Sequence, residues 1–210
     1  MSWVANAVAA GARHLAGATV RWLNCRPEER QRVYYANHTS HLDFVVLWSV
    51  LPRELRMRTR PVAARDYWQA GIRRRLAVNV FHAILVERRG KSEKDGSHSL
   101  GHALDDLLGA MEQGDSLIIF PEGTRGRGDQ IAPFKSGIYH LWTRRPDVQF
   151  VPVYLANLNR VLPKGEVLPV PFISRVVFGP PLAPAAGRDS ETRDSFLREA
   201  REALCALQTA

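Results

Sequence analysis

Cysteine is scarce. The 210 residues hold two, Cys25 and Cys205, far apart and in no CxxC pair. A disulfide-built scaffold, a zinc ribbon and a thioredoxin-type redox site are thereby excluded. Two such cysteines fit reduced thiols in the cytoplasm. No apolar run is long enough to span a bilayer. The first 24 residues contain no acid, yet Arg13, His14 and Arg21 break up their apolar pattern. They also lack a basic start ahead of that pattern, so no signal peptide is expected. No internal repeat or low-complexity tract occurs. The nucleophile elbow GxSxG is missing, as is any nucleic-acid-binding motif or interleaving of arginine with stacking aromatics. What remains has globular proportions, 45% hydrophobic and 24% charged. A chain of this length is expected to form one domain and to bury roughly 70% of its unfolded surface, without help from disulfide or metal.

The charge is uneven. Lys plus Arg outnumber Asp plus Glu by 29 to 21. Between Arg53 and Arg75 lie eight arginines, among them Arg53, Arg56, Arg58 and Arg60, against Glu54 and Asp66. Such a window predicts an anionic partner: nucleic acid, an anionic bilayer, or an acidic small molecule or carrier protein. The plainer alternative is a soluble arginine-rich surface. Near the start, Val4, Val8, Leu15, Ala18 and Trp22 fall roughly on one helical stripe, with Trp3 beside it. That stripe fits either a helix lying at a membrane interface or one packed on the domain. The expected division is therefore an amphipathic helix over 1–25 and an α/β domain over 26–210.

Strand and helix signals alternate. Residues 33–36, 61–64, 83–86, 117–120, 150–155 and 176–178 read as strands. Helices are expected over 41–51, 67–80, from Leu100 to Met111 with a stop at Gly114, over 134–142, and at the end, with Ser190 as a cap. The stretch 162–171 reads as a proline-rich surface loop. The alternation predicts an α/β fold with a mostly parallel central sheet flanked by helices, whose working residues collect on loops at strand ends.

Asn37-His-Thr-Ser-His-Leu-Asp43 follows an apolar strand and precedes an apolar helix. His38 and Asp43 stand in HX4D spacing. On one helix they would differ by about 140° in azimuth, and on a strand they would face opposite sides. They can meet only across a bend, with Asp43 in the first turn of the helix. A histidine held by an aspartate is a general-base unit, because the carboxylate selects the tautomer and stabilises the imidazolium. Helix capping by Thr39 or Ser40 is the plainer reading. A metal site from His38, His41 and Asp43 lacks a matching signature elsewhere, and no metal is expected.

Phe120-Pro-Glu-Gly-Thr-Arg-Gly126 follows a second buried strand. Pro121 ends the ladder. Arg125 can fork onto a phosphate, with Thr124 and backbone N–H groups completing the cradle. An ordinary loop with an internal Glu122–Arg125 pair is the alternative.

Together the two stretches resemble the glycerophospholipid acyltransferases, the family of bacterial 1-acyl-sn-glycerol-3-phosphate acyltransferases. Its first block, NHxSxxD, is matched by Asn37, His38, Ser40 and Asp43, and its third, FPEGTR, from Phe120 to Arg125. Its second block, GxxFxxR, aligns with 82–88, where His82 replaces the glycine and Leu85 the phenylalanine. The fourth block is similar to Val151-Pro-Val153. The resemblance implies transfer of a fatty acyl group from coenzyme A or acyl carrier protein to the hydroxyl of a lysophospholipid, with no cofactor beyond the acyl thioester. The acceptor it implies is 1-acyl-sn-glycerol-3-phosphate, giving phosphatidate. It assigns His38 as base, Asp43 as its partner, and Arg88, Glu122, Gly123, Thr124 and Arg125 to the acceptor and its phosphate. Other lysolipids, such as lyso-ornithine lipid, and a thioesterase using the same pair remain alternatives. The expected setting is peripheral, on an anionic membrane surface at the cytoplasmic face, with no nucleic-acid partner.

Overall fold

The computed structural model describes residues 3–65, 71–86, 96–126, 128, 130–161, 173–188 and 191–209. Its centre is β2 (Arg32–Ala36), buried at every position. That is what a strand with helices on both faces requires. β5 (Ser116–Ile119) is buried in the same way. The seven-stranded sheet also contains β1 (Thr19–Trp22), β3 (Thr59–Ala64), β4 (Ile84–Val86), β6 (Gln149–Ala156) and β7 (Arg175–Phe178), in the order β1-β7-β6-β2-β5-β3-β4. β6 and β7 pair antiparallel. Each other neighbouring pair is parallel. The sequence-based α/β expectation therefore holds.

Side chains alternate across the sheet. Tyr34, Ala36 and Ile118 enter one core with α1 (Trp3–Leu15) and α2 (Asp43–Val50). Val33, Tyr35, Leu117 and Ile119 enter the other, with α5 (Gly96–Glu112), α6 (Gly137–Arg144) and α8 (Arg193–Cys205). Short helices α3 (Arg53–Met57), α4 (Gly71–Asn79) and α7 (Leu158–Val161) connect strands.

The amphipathic stretch 1–25 divides in two. Its first part is α1, whose Ala5 and Ala9 are buried against the domain. Arg13 donates to the Ser49 carbonyl at 3.0 Å. Of the expected stripe, Val4 and Val8 pack against the same core, while Leu15 is exposed and Trp3 stays 80% exposed. The second part is a strand, β1, at the sheet edge. Its side chains are mostly exposed, so burial periodicity could not mark it. The last helix is capped by Thr192, whose hydroxyl accepts from Ser195 N; Ser190 lies outside the described residues, as does the expected loop at 162–171. No described helix is long and apolar enough to cross a membrane.

Candidate active site

The ends of β6, β2 and β5 lie side by side, and the two polar motifs emerge from β2 and β5. Asn37 closes the end of β2. Its Nδ2 donates to the Leu155 carbonyl at 2.9 Å and its Oδ1 accepts from Leu155 N at 2.8 Å. The side chain thus continues the ladder to β6, and the chain turns at the next residue, His38.

Across that turn His38 Nδ1 meets Asp43 Oδ2 at 2.9 Å. The same oxygen accepts from Thr39 N at 2.6 Å and Ser40 N at 2.8 Å. The predicted capping is therefore reversed: the carboxylate of the helix's first residue ties down the preceding turn, and the residue before the helix makes no side-chain cap. Asp43 is fully buried and the His38 side chain 17% exposed. Asp43 Oδ1 is also buried and has no hydrogen-bond partner among the described residues. The imidazole stacks on Phe120, with centroids 4.3 Å apart and planes 22° from parallel. With Nδ1–H donated to the carboxylate, a neutral His38 carries its lone pair on Nε2, where it can accept a proton. Ser40 is buried and its hydroxyl accepts from Leu42 N at 3.3 Å.

The second motif closes against the first. Glu122 is 3% exposed. Its Oε1 accepts from His38 N and its Oε2 from Ala132 N, each at 2.8 Å. Gly126 N donates to the His38 carbonyl at 2.8 Å. Gly123 adopts φ 72°, a conformation natural to glycine. A Cβ there would lie 3.2 Å from the Lys135 side chain. Glu122, which the resemblance assigns to the acceptor, directs both its oxygens at main-chain N–H groups, and no Glu122–Arg125 pair forms. Thr124 is exposed and Arg125 half-buried. Among the described residues no carboxylate pairs with Arg125. Arg88 lies outside the described residues. Among the described residues no cluster of three His, Cys, Asp or Glu side chains forms a candidate metal site.

Sequence reasoning passed over two features. Lys135, on the flank of Gly123, adds an exposed cation beside the second motif. On the β6 side, a polar pocket of about 130 Å³ is lined by Thr39, Gly128, Tyr154, Asn157, Asn159 and Arg160, among others. Its signal was present, since the polar run Asn157-Leu-Asn-Arg160 leaves a buried strand as both motifs do.

The basic window proves heterogeneous. Arg56 is buried, donating to the Ser49 carbonyl at 3.2 Å and Asn6 Oδ1 at 2.9 Å, with its guanidinium 5.0 Å from the Trp48 ring centroid. Burial, with Arg13 and Arg53 nearby, lowers its pKa. Arg60 pairs with Asp115, whose carboxyl burial pushes up despite that partner. Arg53, Arg58, Arg65, Arg74 and Arg75 remain exposed.

Comparison with known proteins adds a lineage to this geometry. The family model "Acyltransferase" matches residues 18–156. Taffazin from Dictyostelium discoideum is 30% identical over 152 residues, covering 68% of this chain and 50% of that protein. The 1-acyl-sn-glycerol-3-phosphate acyltransferase of Limnanthes douglasii is 29% identical over 180 residues, covering 80% and 59%. The human 1-acyl-sn-glycerol-3-phosphate acyltransferase alpha is 30% identical over 147 residues, covering 70% and 48%. The chain thus spans about half the length of these curated relatives. The crystal structure of the 1-acyl-sn-glycerophosphate acyltransferase PlsC from Thermotoga maritima superposes with a TM-score of 0.69 at 17% identity, covering 99% of this chain and 79% of that one. That likeness speaks for the fold.

Proposed function

The chain belongs to the acyltransferase family, and from that premise we propose that it is an O-acyltransferase acting on a lysophospholipid. The acceptor we infer is 1-acyl-sn-glycerol-3-phosphate, giving phosphatidate, and the donor is a thioester of coenzyme A or acyl carrier protein. The observation that carries this reading is the buried carboxylate of Asp43 on His38 Nδ1, with Arg125 in the loop after the neighbouring strand β5, one residue before Gly126, whose N–H meets the His38 carbonyl.

The reaction follows from those groups. His38 Nε2 accepts the proton of the acceptor hydroxyl as its oxygen attacks the thioester carbonyl. The C–O bond forms, the tetrahedral intermediate collapses, and the C–S bond breaks. The imidazolium returns the proton to the leaving thiolate, so ester and thiol are released and the base is restored. Asp43 holds the ring and stabilises its charged form. Base catalysis of this kind contributes about 10²–10⁴-fold. Arg125 holds the acceptor phosphate, with Thr124, the Gly123 backbone and Arg88 as further partners. The protein works peripherally at the cytoplasmic face. With the alanine face of α1 packed on the domain, Trp3 and the exposed arginines make the contact with anionic lipid.

The test is thiol release from acyl-CoA and from acyl carrier protein, with and without lysophosphatidate, with the lipid product identified. Acceptor-dependent release with phosphatidate formed is the expected result. Release that needs no acceptor would make the protein a thioesterase. Release only with another lysolipid would move the acceptor assignment, not the chemistry.

A further inference from the structure

His38 is restrained by its main chain as well as its ring. Its peptide N–H is held by Glu122 Oε1 and its peptide carbonyl by Gly126 N. Both partners come from the loop after β5. Glu122 is in turn fixed by Ala132 N on its other oxygen, and Lys135 N donates to the Pro121 carbonyl at 2.8 Å. Each carboxylate oxygen of Glu122 therefore has a protein partner, and the side chain is 3% exposed. A group so placed offers little to an acceptor lipid. It does set where the residue carrying the imidazole sits, because a carboxylate bridging two backbone N–H groups is a stiff, charge-assisted strut. Phe120, two residues before Glu122, stacks on the ring and so supports it from the same segment.

We propose that Glu122 is a positioning residue, which aims His38 through its backbone and does not bind the acceptor. The inference rests on the reading of His38 as the base. A displacement of the reacting group by about 1 Å costs roughly 10²-fold in rate. Glu122→Gln would turn an amide N–H toward one of the two backbone donors. It should lower kcat about 10²-fold while the acceptor KM stays within about twofold. Glu122→Asp keeps the charge but is too short to bridge both N–H groups, so it should also lower kcat at constant KM. It supplies the measurement if the glutamine variant does not fold.

The decisive comparison is a double-mutant cycle with His38→Ala on folded protein, verified by circular dichroism. A residue acting through His38 has no further effect once the imidazole is gone. Residual turnover of His38→Ala and of the His38→Ala/Glu122→Gln double variant should therefore be equal. A readout that needs no turnover is the ¹³Cε1–¹H resonance of His38, which should shift in Glu122→Gln. A KM raised tenfold or more at constant kcat would overturn the proposal in favour of acceptor binding. So would an additional loss in the double variant, or an unmoved resonance with unchanged kcat. Full activity in His38→Ala alone would instead remove the base assignment beneath it.

Discussion

Two histidines stand in bends beside strands of the same sheet. His38 follows β2, and Glu122, Gly126, Asp43 and Phe120 hold its N–H, carbonyl, Nδ1 and ring face. His82 precedes β4, is exposed, and sits at φ 49° in the left-handed region. No described residue hydrogen-bonds its ring. The first bend uses its neighbours to remove freedom from the side chain proposed as the base. The second tolerates a histidine where backbone geometry favours glycine. Residue type and setting are shared, so the two bends differ in how far the histidine is held by its neighbours.

That contrast breaks first if His38 is dispensable. His38→Ala should lower kcat about 10²–10⁴-fold and leave the thermal midpoint nearly unchanged, since no buried group loses its only partner. Asp43→Asn should follow at about 10²-fold. Its amide cannot accept from Nδ1–H, Thr39 N and Ser40 N through one oxygen and also keep its own N–H groups satisfied in a buried site. Acceptor titrations of both variants check the ranking. Equal activity of wild type and Asp43→Asn would show that the pairing at 2.9 Å is architectural only.

Arg125 sharpens the contrast by separating binding from aiming. Arg125→Ala should raise the acceptor KM by about 10–100-fold, the loss of one charge-assisted contact, with kcat held. A kcat effect without a KM effect would place Arg125 with the positioning residues.

Which of these roles the sequence could disclose depends on where their partners lie. β2 and β5 were legible because a strand buried on both faces is an unbroken apolar run. The His38–Asp43 contact was legible because five residues of spacing leave only a bend to join them. β1 was not, since Thr19 to Trp22 has little burial to alternate. The bonds of Glu122 to His38 N and Ala132 N were not either, because backbone donors carry no residue identity. Nor could arginine count separate Arg56, packed under α1 with carbonyls and Asn6, from Arg125. The window's charge was visible in composition, but its availability was settled only by packing.

The smallest effect belongs to the other histidine. A non-glycine residue held in the left-handed region costs about 1–3 kcal/mol, while glycine loses about 0.5–1 kcal/mol more backbone freedom on folding. His82→Gly should therefore stabilise the protein by about 0.5–1 kcal/mol, a rise of about 2 °C in the midpoint for a domain of this size. The resemblance to the family's second block also places a glycine at this position. Turnover should not change, because His82 holds no partner that the corner at β2 uses. Thermal unfolding and steady-state rates on one preparation decide it. A stabilised variant with wild-type kcat keeps the two bends distinct. A stabilised variant with reduced kcat would mean that strain before β4 is held in place for the reaction, and the second bend would join the site.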